Sequence, residues 1–304
     1  MKEKTALKKE PIRHHYIPQF ILRNFCFDNS GNTSYTDVKS KKESVKQIRD
    51  IFMEKNLYRD TINDDNPVKI EKDFAQFESE VACIIKEKFL KEEEFVLTSQ
   101  EDEKLKLFLA LMSFRSKSTH DLFKSSLPKE SKNFYANWQH DKNFEDFWKR
   151  NLGKLAKCRS LKDVINNTEI DEPIKAFLTR DTSGFFGKYF CIVEPRDAGE
   201  FVLSDCYPVV LRGIGLPFLK LEIFDIYVLS PNRAILFANN GCEGTPREIL
   251  QLRPLILCKP TKDNNNLLFK VKNLYFEEVE TINKMVIKNA KEGFICKREK
   301  RLFD

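Results

Sequence analysis

The chain has 304 residues, 41% of them hydrophobic and 26 of them phenylalanine, which is ample material for an apolar core and excludes global disorder. No run approaches 18 apolar residues and the first residues are rich in charge, so we expect a cytoplasmic protein with neither a membrane span nor a signal peptide. The formal charge of +6 is concentrated at residues 1–15, with five Lys/Arg against two Glu, and at residues 284–304, with seven Lys/Arg against three acids.

These basic ends can reach phosphate backbones, which favours nucleic acid or a nucleotide as a partner. A lysine-rich genome composition accounts for the same charge equally well. The eight cysteines are scattered singly without a Cys-x-x-Cys pair, so we expect reduced thiols rather than a cysteine zinc site.

The chain opens on a dense motif, RHHYIPQFILRNF, at residues 13–25. Pro18 fixes its own backbone, so His14 and His15 should lead into a turn and Gln19 should begin a helix that reaches Phe25. Imidazoles held beside a rigid turn suit proton transfer or metal ligation. The alternative is a pair of histidines that are merely satisfied in the core or at the surface.

A mixed region and then a helix follow. Residues 33–38 and 56–59 are predicted strands, and residues 71–93 show the apolar spacing of a helix. Glu78 falls at the edge of the buried face of this helix, where a carboxylate needs a partner. That partner is either a structural arginine or a functional group.

The next helix has a clear start, because Thr98 and Glu101 form a capping-box pattern. Residues 105–114 then read as an almost wholly apolar helical segment, and Arg115 leaves its end. This arginine is either the partner of Glu78 or a fork for a phosphate or carboxylate.

Residues 133–150 read as one or two aromatic-rich helices, and residues 152–178 continue as helix with breaks near Asn166 and Pro173. Aromatic residues interleaved with Lys and Arg can stack on bases, although core packing is the commoner role.

From residue 185 the periodicity becomes that of strands. Short β-rich runs are predicted at 189–194, 201–205, 209–211, 222–228 and 234–238, with further candidates at 255–258 and 267–271. A helix over 273–296 closes the chain. Asp205 ends an inward-facing row, which is typical of a displayed carboxylate and equally of an aspartate that starts a turn before Pro208.

The predicted fold class is therefore α+β, with a mostly helical N-terminal part packed on a mostly antiparallel C-terminal sheet and closed by a C-terminal helix. We expect one interlocked domain over residues 1–304, with a mainly helical subregion at 1–180 and a mainly β subregion at 181–304.

Three motifs resemble a bacterial family called domain of unknown function 4238. The opening motif resembles its His-x-x-Pro-x-Phe-x-Leu-x-x-Phe pattern. The run from Ser204 to Val209 is similar to its Ser-Asp-x-Pro-Val strand, with one extra residue before the proline. Residues 228–231, VLSP, are similar to its Pro-Leu-Ser-Pro motif. The resemblance also implies a glutamate in the region of Glu78, and it brings no activity.

The polar residues of these segments form the candidate site. The expected catalytic set is His14, His15, Glu78, Arg115 and Asp205, and the expected binding set is Gln19, Arg23, Asn24 and Ser204. Gathered together they supply a base, anion clamps and carboxylates, which suits hydrolytic or phosphoryl chemistry. The leading hypothesis is a nuclease-like hydrolase of nucleic acid or a nucleotide, acting as a toxin or anti-phage effector, with a divalent metal optional. The alternative is a non-enzymatic binding or regulatory module in which the same residues form a buried structural network.

Overall fold

The structure is a computed structural model that describes residues 13–59, 68–124, 144–176, 178, 189–197, 199–214, 220–238, 261–263 and 266–297. The opening motif begins as strand β1 (Arg13–His15) and turns at Pro18 into the short helix α1 (Gln19–Arg23). The predicted turn and helix are therefore confirmed, although the helix ends two residues before Phe25. Strand β1 pairs antiparallel with β4 (Met53–Lys55).

A small sheet joins the two ends of the described chain. Strand β2 (Asn32–Asp37) lies between β3 (Glu43–Gln47) and β13 (Gly293–Cys296), and β13 also pairs with β7 (Leu203–Ser204). A Cβ atom at Gly293 would lie 2.3 Å from the ring of Tyr35, so any other residue here would displace this ring.

The helical part follows the predicted order. Helix α2 (Lys69–Ile84) widens into a π-helical turn over Ile85–Phe89, and β5 (Glu94–Leu97) leads to α3 (Ser99–Arg115). The capping box of Thr98 and Glu101 at the start of α3 is confirmed. The remaining described helices here are α4 (Lys117–Lys124), α5 (Phe144–Leu155), α6 (Leu161–Asn166) and a short turn at 172–176.

The main sheet is built mostly from the C-terminal half of the chain. Its strands are β6 Tyr189–Pro195, β8 Val209–Ile214, β9 Lys220–Ser230, β10 Arg233–Ala238, β11 Thr261–Asp263 and β12 Asn266–Leu274. They are arranged in the order β11-β12-β6-β10-β9-β8, and β5 also pairs with β12. The pairs are antiparallel except for β12 with β6, which confirms a mostly antiparallel sheet.

Four predicted elements differ in the structure. The helix predicted over 152–178 has an additional break between Leu155 and Leu161. The predicted closing helix is α7 (Phe276–Asn289) followed by strand β13, because the chain turns at Ala290 and re-enters the sheet beside β2. The strand predicted at 56–59 lies earlier, at β4, since Asn56 adopts a positive φ of 60° that ends the strand. The strand predicted at 201–205 shrinks to β7. The segments predicted at 133–143 and 255–258 lie outside the described residues.

One continuous apolar core underlies both parts. It includes Tyr16 of the opening motif, Phe108 of α3, Trp148 of α5, Tyr227 of β9 and Ile295 of β13, each at most 1% exposed. The α+β fold class is thus confirmed. Among the described residues, cysteines 26, 83, 158, 191, 206 and 296 form no disulfide.

Candidate functional site

A cavity of about 340 Å³ lies beside the opening motif. Its walls come from the turn and helix α1, from one face of α2 and from the end of α3. The lining residues are His15, Pro18, Gln19, Phe20, Arg23, Tyr58, Glu71, Phe74, Ala75, Glu78, Ser79, Ala82 and Arg115. Five of the nine predicted site residues are among them, namely His15, Gln19, Arg23, Glu78 and Arg115.

His15 is held in a single tautomer by its neighbours. Its Nε2 lies 3.0 Å from the carbonyl oxygen of Ile48, which can only accept, so Nε2 carries the proton. The unprotonated Nδ1 lies 3.3 Å from the Nε2 amide nitrogen of Gln19, which donates to it. Burial lowers the pKa of His15, although the hydrogen bond to Ile48 acts in the opposite direction. The ring is therefore neutral near pH 7, and its basic nitrogen, Nδ1, lies next to Gln19 of the cavity wall.

The amide of Gln19 links His15 to an exposed arginine. Gln19 Oε1 accepts a hydrogen bond of 3.2 Å from Nη2 of Arg23, one turn further along α1. Because the Arg23 guanidinium only donates, this bond fixes the orientation of the Gln19 amide. Protonating His15 at Nδ1 would place two donors opposite each other, so the proton state of the ring is coupled to the Arg23 contact.

Arg115 closes the inner end of the cavity and is only 3% exposed. It forms an ion pair with Glu78, and its Nη2 and Nε donate to the His15 carbonyl at 2.9 Å and to the Tyr58 hydroxyl at 3.1 Å. Its guanidinium also lies 4.7 Å from the centre of the Phe74 ring. Of the two alternatives for Arg115, the structure shows the ion pair with Glu78. Arg115 contacts His15 through the His15 backbone carbonyl and not through its ring.

His14 does not line the cavity but contacts two residues that do. Its Nδ1 accepts a 2.7 Å hydrogen bond from the backbone N–H of Tyr58, and its Nε2 lies 3.2 Å from Glu71. The ring is 1% exposed and stacks on that of Tyr58 at an interplanar angle of 4°. These contacts support a structural role for His14, since the ring is buried behind the lining residues that it contacts.

Three other predicted site residues lie elsewhere. The Asp205 carboxylate accepts from the backbone N–H groups of Lys291, Glu292 and Gly293 at 2.9, 3.2 and 3.4 Å, and burial raises the pKa of Asp205. It therefore anchors the turn between α7 and β13. Ser204 donates to the carbonyl of Cys206, and Asn24 donates to that of Leu229. None of these three residues lines the cavity beside the opening motif.

Sequence reasoning missed Tyr58 and Glu71 as lining residues. Tyr58 lies just after β4, in a segment without a polar motif. Glu71 carried a usable signal, because Glu71, Ala75, Glu78 and Ala82 recur at helical spacing and form the α2 face of the cavity.

Within the residues that the structure describes, no group of three or more His, Cys, Asp or Glu side chains could hold a metal ion. None of the described helices is long and apolar enough to span a bilayer.

The fold and cavity define an α+β protein whose opening motif forms one wall of a polar cleft. A family model described as protein of unknown function (DUF4238) matches residues 13–301, nearly the whole chain, and the protein belongs to that family. Neither a curated protein nor a solved structure matches the chain significantly.

Proposed function

We propose that the protein is a hydrolase of nucleic acid or a nucleotide, with His15 as its general base. The observation that supports this best is the hydrogen bond from His15 Nε2 to the Ile48 carbonyl, because it leaves Nδ1 as the basic nitrogen, next to Gln19 of the cavity lining. A base that is neutral near pH 7 can accept a proton from an attacking hydroxyl.

The remaining lining residues fit a phosphoester substrate. Arg23 is exposed, and within the described part of the chain its guanidinium has no carboxylate within 4 Å, so it can contact a phosphate oxygen. Gln19 lies between Arg23 and His15 and is itself exposed, so it can turn aside when a hydroxyl approaches Nδ1. In the reaction, Nδ1 takes the proton of the attacking oxygen, the new P–O bond forms, and the proton passes to the leaving oxygen as the old P–O bond breaks.

The test is a cleavage assay on single-stranded RNA and DNA, with and without Mg²⁺ or Mn²⁺. His15→Ala should reduce the rate by about 10²–10⁴-fold, the usual contribution of a general base, with little change in melting temperature. The matched control is His14→Ala, which should lower the melting temperature instead, because it leaves the buried N–H of Tyr58 unpaired. Because burial lowers the pKa of His15, the acid limb of the pH–rate profile should have its midpoint below 6.5.

A non-enzymatic role is favoured by one specific observation. Arg115 is almost fully buried, and its guanidinium already binds Glu78, the Tyr58 hydroxyl and the His15 carbonyl. These contacts within the protein occupy the groups that would otherwise bind an anionic ligand. If the protein is a binding module, His15→Ala and Arg115→Ala should both destabilise it without an activity to lose. If it is a nuclease toxin or defence effector, its overexpression should arrest growth, and His15→Ala should relieve the arrest.

A further inference from the structure

A second cavity, of about 760 Å³, shares Arg23 with the first. Its walls are the end of α1, the turn between β9 and β10, and the residue that follows β13. The lining residues are Arg23, Asn24, Cys26, Phe27, Leu90, Glu194, Glu200, Ser230, Pro231, Asn232, Arg233 and Lys297. Both volumes fall within the roughly 300–1,000 Å³ of small-ligand sites. Two of the sequence motifs, at residues 13–25 and 228–231, therefore meet at this cavity.

The charges of the two linings largely cancel. Arg115 pairs with Glu78, and Arg233 pairs with Glu194. Arg23 and Lys297 are exposed, and neither has a carboxylate within 4 Å in the described ranges. Glu71 and Glu200 also line these cavities, so the four cations of the two linings are matched by four carboxylates. Two exposed cations in linings of zero net charge suit a ligand with one or two phosphates better than a long polyanion.

An aromatic ring stands beside these cations. Phe27 lines the second cavity and is 43% exposed, which is unusual for so large an apolar side chain. Arg23 and Lys297 line the same cavity as Phe27. An exposed aromatic ring in a cavity that also holds cations is typical of sites that bind unpaired bases.

We infer that the second cavity binds the nucleotide next to the one processed at His15, so that the ligand is single-stranded nucleic acid of at least two nucleotides. The phosphate between the two nucleotides would contact Arg23, the following base would stack on Phe27, and the next phosphate would contact Lys297. Glu200, at the same wall, can accept from the amino group of a base. The assignment of the neighbouring site to hydrolysis rests on the proposed function, whereas the binding rests on these groups alone.

The test measures the fluorescence anisotropy of labelled thymidine oligonucleotides of one to six units with the full-length protein in EDTA. The tetranucleotide should bind at least about tenfold more tightly than the mononucleotide, and Phe27→Ala should weaken the tetranucleotide at least about fivefold, as expected for a lost stacking contact. With two phosphate contacts, the slope of log K against log salt should be about −1.4, falling to about −0.7 in Lys297→Ala.

Matched controls lie on α7, away from both linings. Phe276 is 48% exposed and Lys288 is exposed, so Phe276→Ala and Lys288→Ala should leave binding unchanged. Affinity that does not depend on length, equal affinity for duplex, no binding to any single strand, or equal effects of Phe27→Ala and Phe276→Ala would each overturn the inference.

The two proposals fail separately. Length-dependent binding without His15-dependent cleavage would remove the proposed hydrolysis and leave this inference standing. If cleavage needs His15 but Phe27→Ala and Lys297→Ala leave oligonucleotide binding unchanged, the inference about the second cavity is removed and the proposed hydrolysis stands.

Discussion

His120 on α4 is held neutral by its surroundings. Its ring is 1% exposed and packs 4.7 Å from the ring of Trp148, with Nδ1 3.7 Å from Glu54 and Nε2 3.4 Å from Glu145. Burial lowers the pKa of His120, and Lys124 acts in the same direction, although the two carboxylates oppose the shift. The fold therefore favours the unprotonated ring.

The lowered pKa of His120 makes the stability of the folded protein sensitive to acid. A histidine whose pKa is lowered on folding stabilises the native state above its unfolded value of 6.5, and that contribution is lost as the pH falls through the lower folded value. We expect the melting temperature to drop between pH 7.5 and pH 5, and His120→Gln to drop less over the same range. Thermal melts across this interval measure it, and a melting temperature that rises toward acid would contradict it.

Adjacent residues in the opening motif show what one sequence can and cannot predict. Both histidines were equal candidates, yet successive side chains of a strand point to opposite faces, so β1 places His14 in the core and His15 at the cavity. The motif itself gives no indication of which face is inside. That depends on the pairing of β1 with β4, a contact between segments about 40 residues apart.

Among the elements, the turn between α7 and β13 depends on one distant carboxylate. Replacing Asp205 by alanine leaves three backbone N–H groups without their acceptor, each worth about 1–3 kcal/mol when buried. We expect Asp205→Ala to lower the free energy of unfolding by about 2–4 kcal/mol, measured by urea denaturation.

Two further variants sharpen this measurement. Asp205→Asn should lower the free energy of unfolding by less than half as much as Asp205→Ala, because the Oδ1 of asparagine can still accept from the backbone N–H groups of Lys291 and Gly293. Asp37→Ala removes a similar carboxylate from an exposed turn at Ser40 and should lower the free energy of unfolding less than Asp205→Ala does. Equal losses in Asp37→Ala and Asp205→Ala would show that Asp205 has no special role.

Local patterns predicted the elements whose cause is local. The capping box and the apolar run of α3 follow from residues within one or two turns of each other. The edge position of Glu78 indicated only that its carboxylate needs a partner, and it left open whether Arg115 is that partner. The closing strand β13 was missed because residues 290–296 lie next to a helical pattern. Their strand state comes from pairing with β2, more than 250 residues away.

At the scale of the whole molecule, strands and hydrogen bonds cross between the two predicted subregions. Strand β2 of the first pairs with β13 of the second, and Asn24 bonds to the carbonyl of Leu229. We expect that residues 1–180 and 181–304, expressed separately, show no cooperative thermal transition, and that co-expression restores one like that of the intact chain. Circular dichroism melts provide the measurement, and two halves that each melt cooperatively would contradict a single interlocked domain.

The arrangement of the small sheet also bears on biosynthesis. Translation proceeds at about 5–20 residues per second, so β2 leaves the ribosome roughly 12–50 seconds before the strand that covers its second edge has been made. Through that interval β3 can cover one edge only. The residues of β2, NTSYTD, are mostly polar, so the unpaired edge of this strand is a poor template for aggregation. The nascent chain can thus hold an unfinished sheet until its last partner is synthesised.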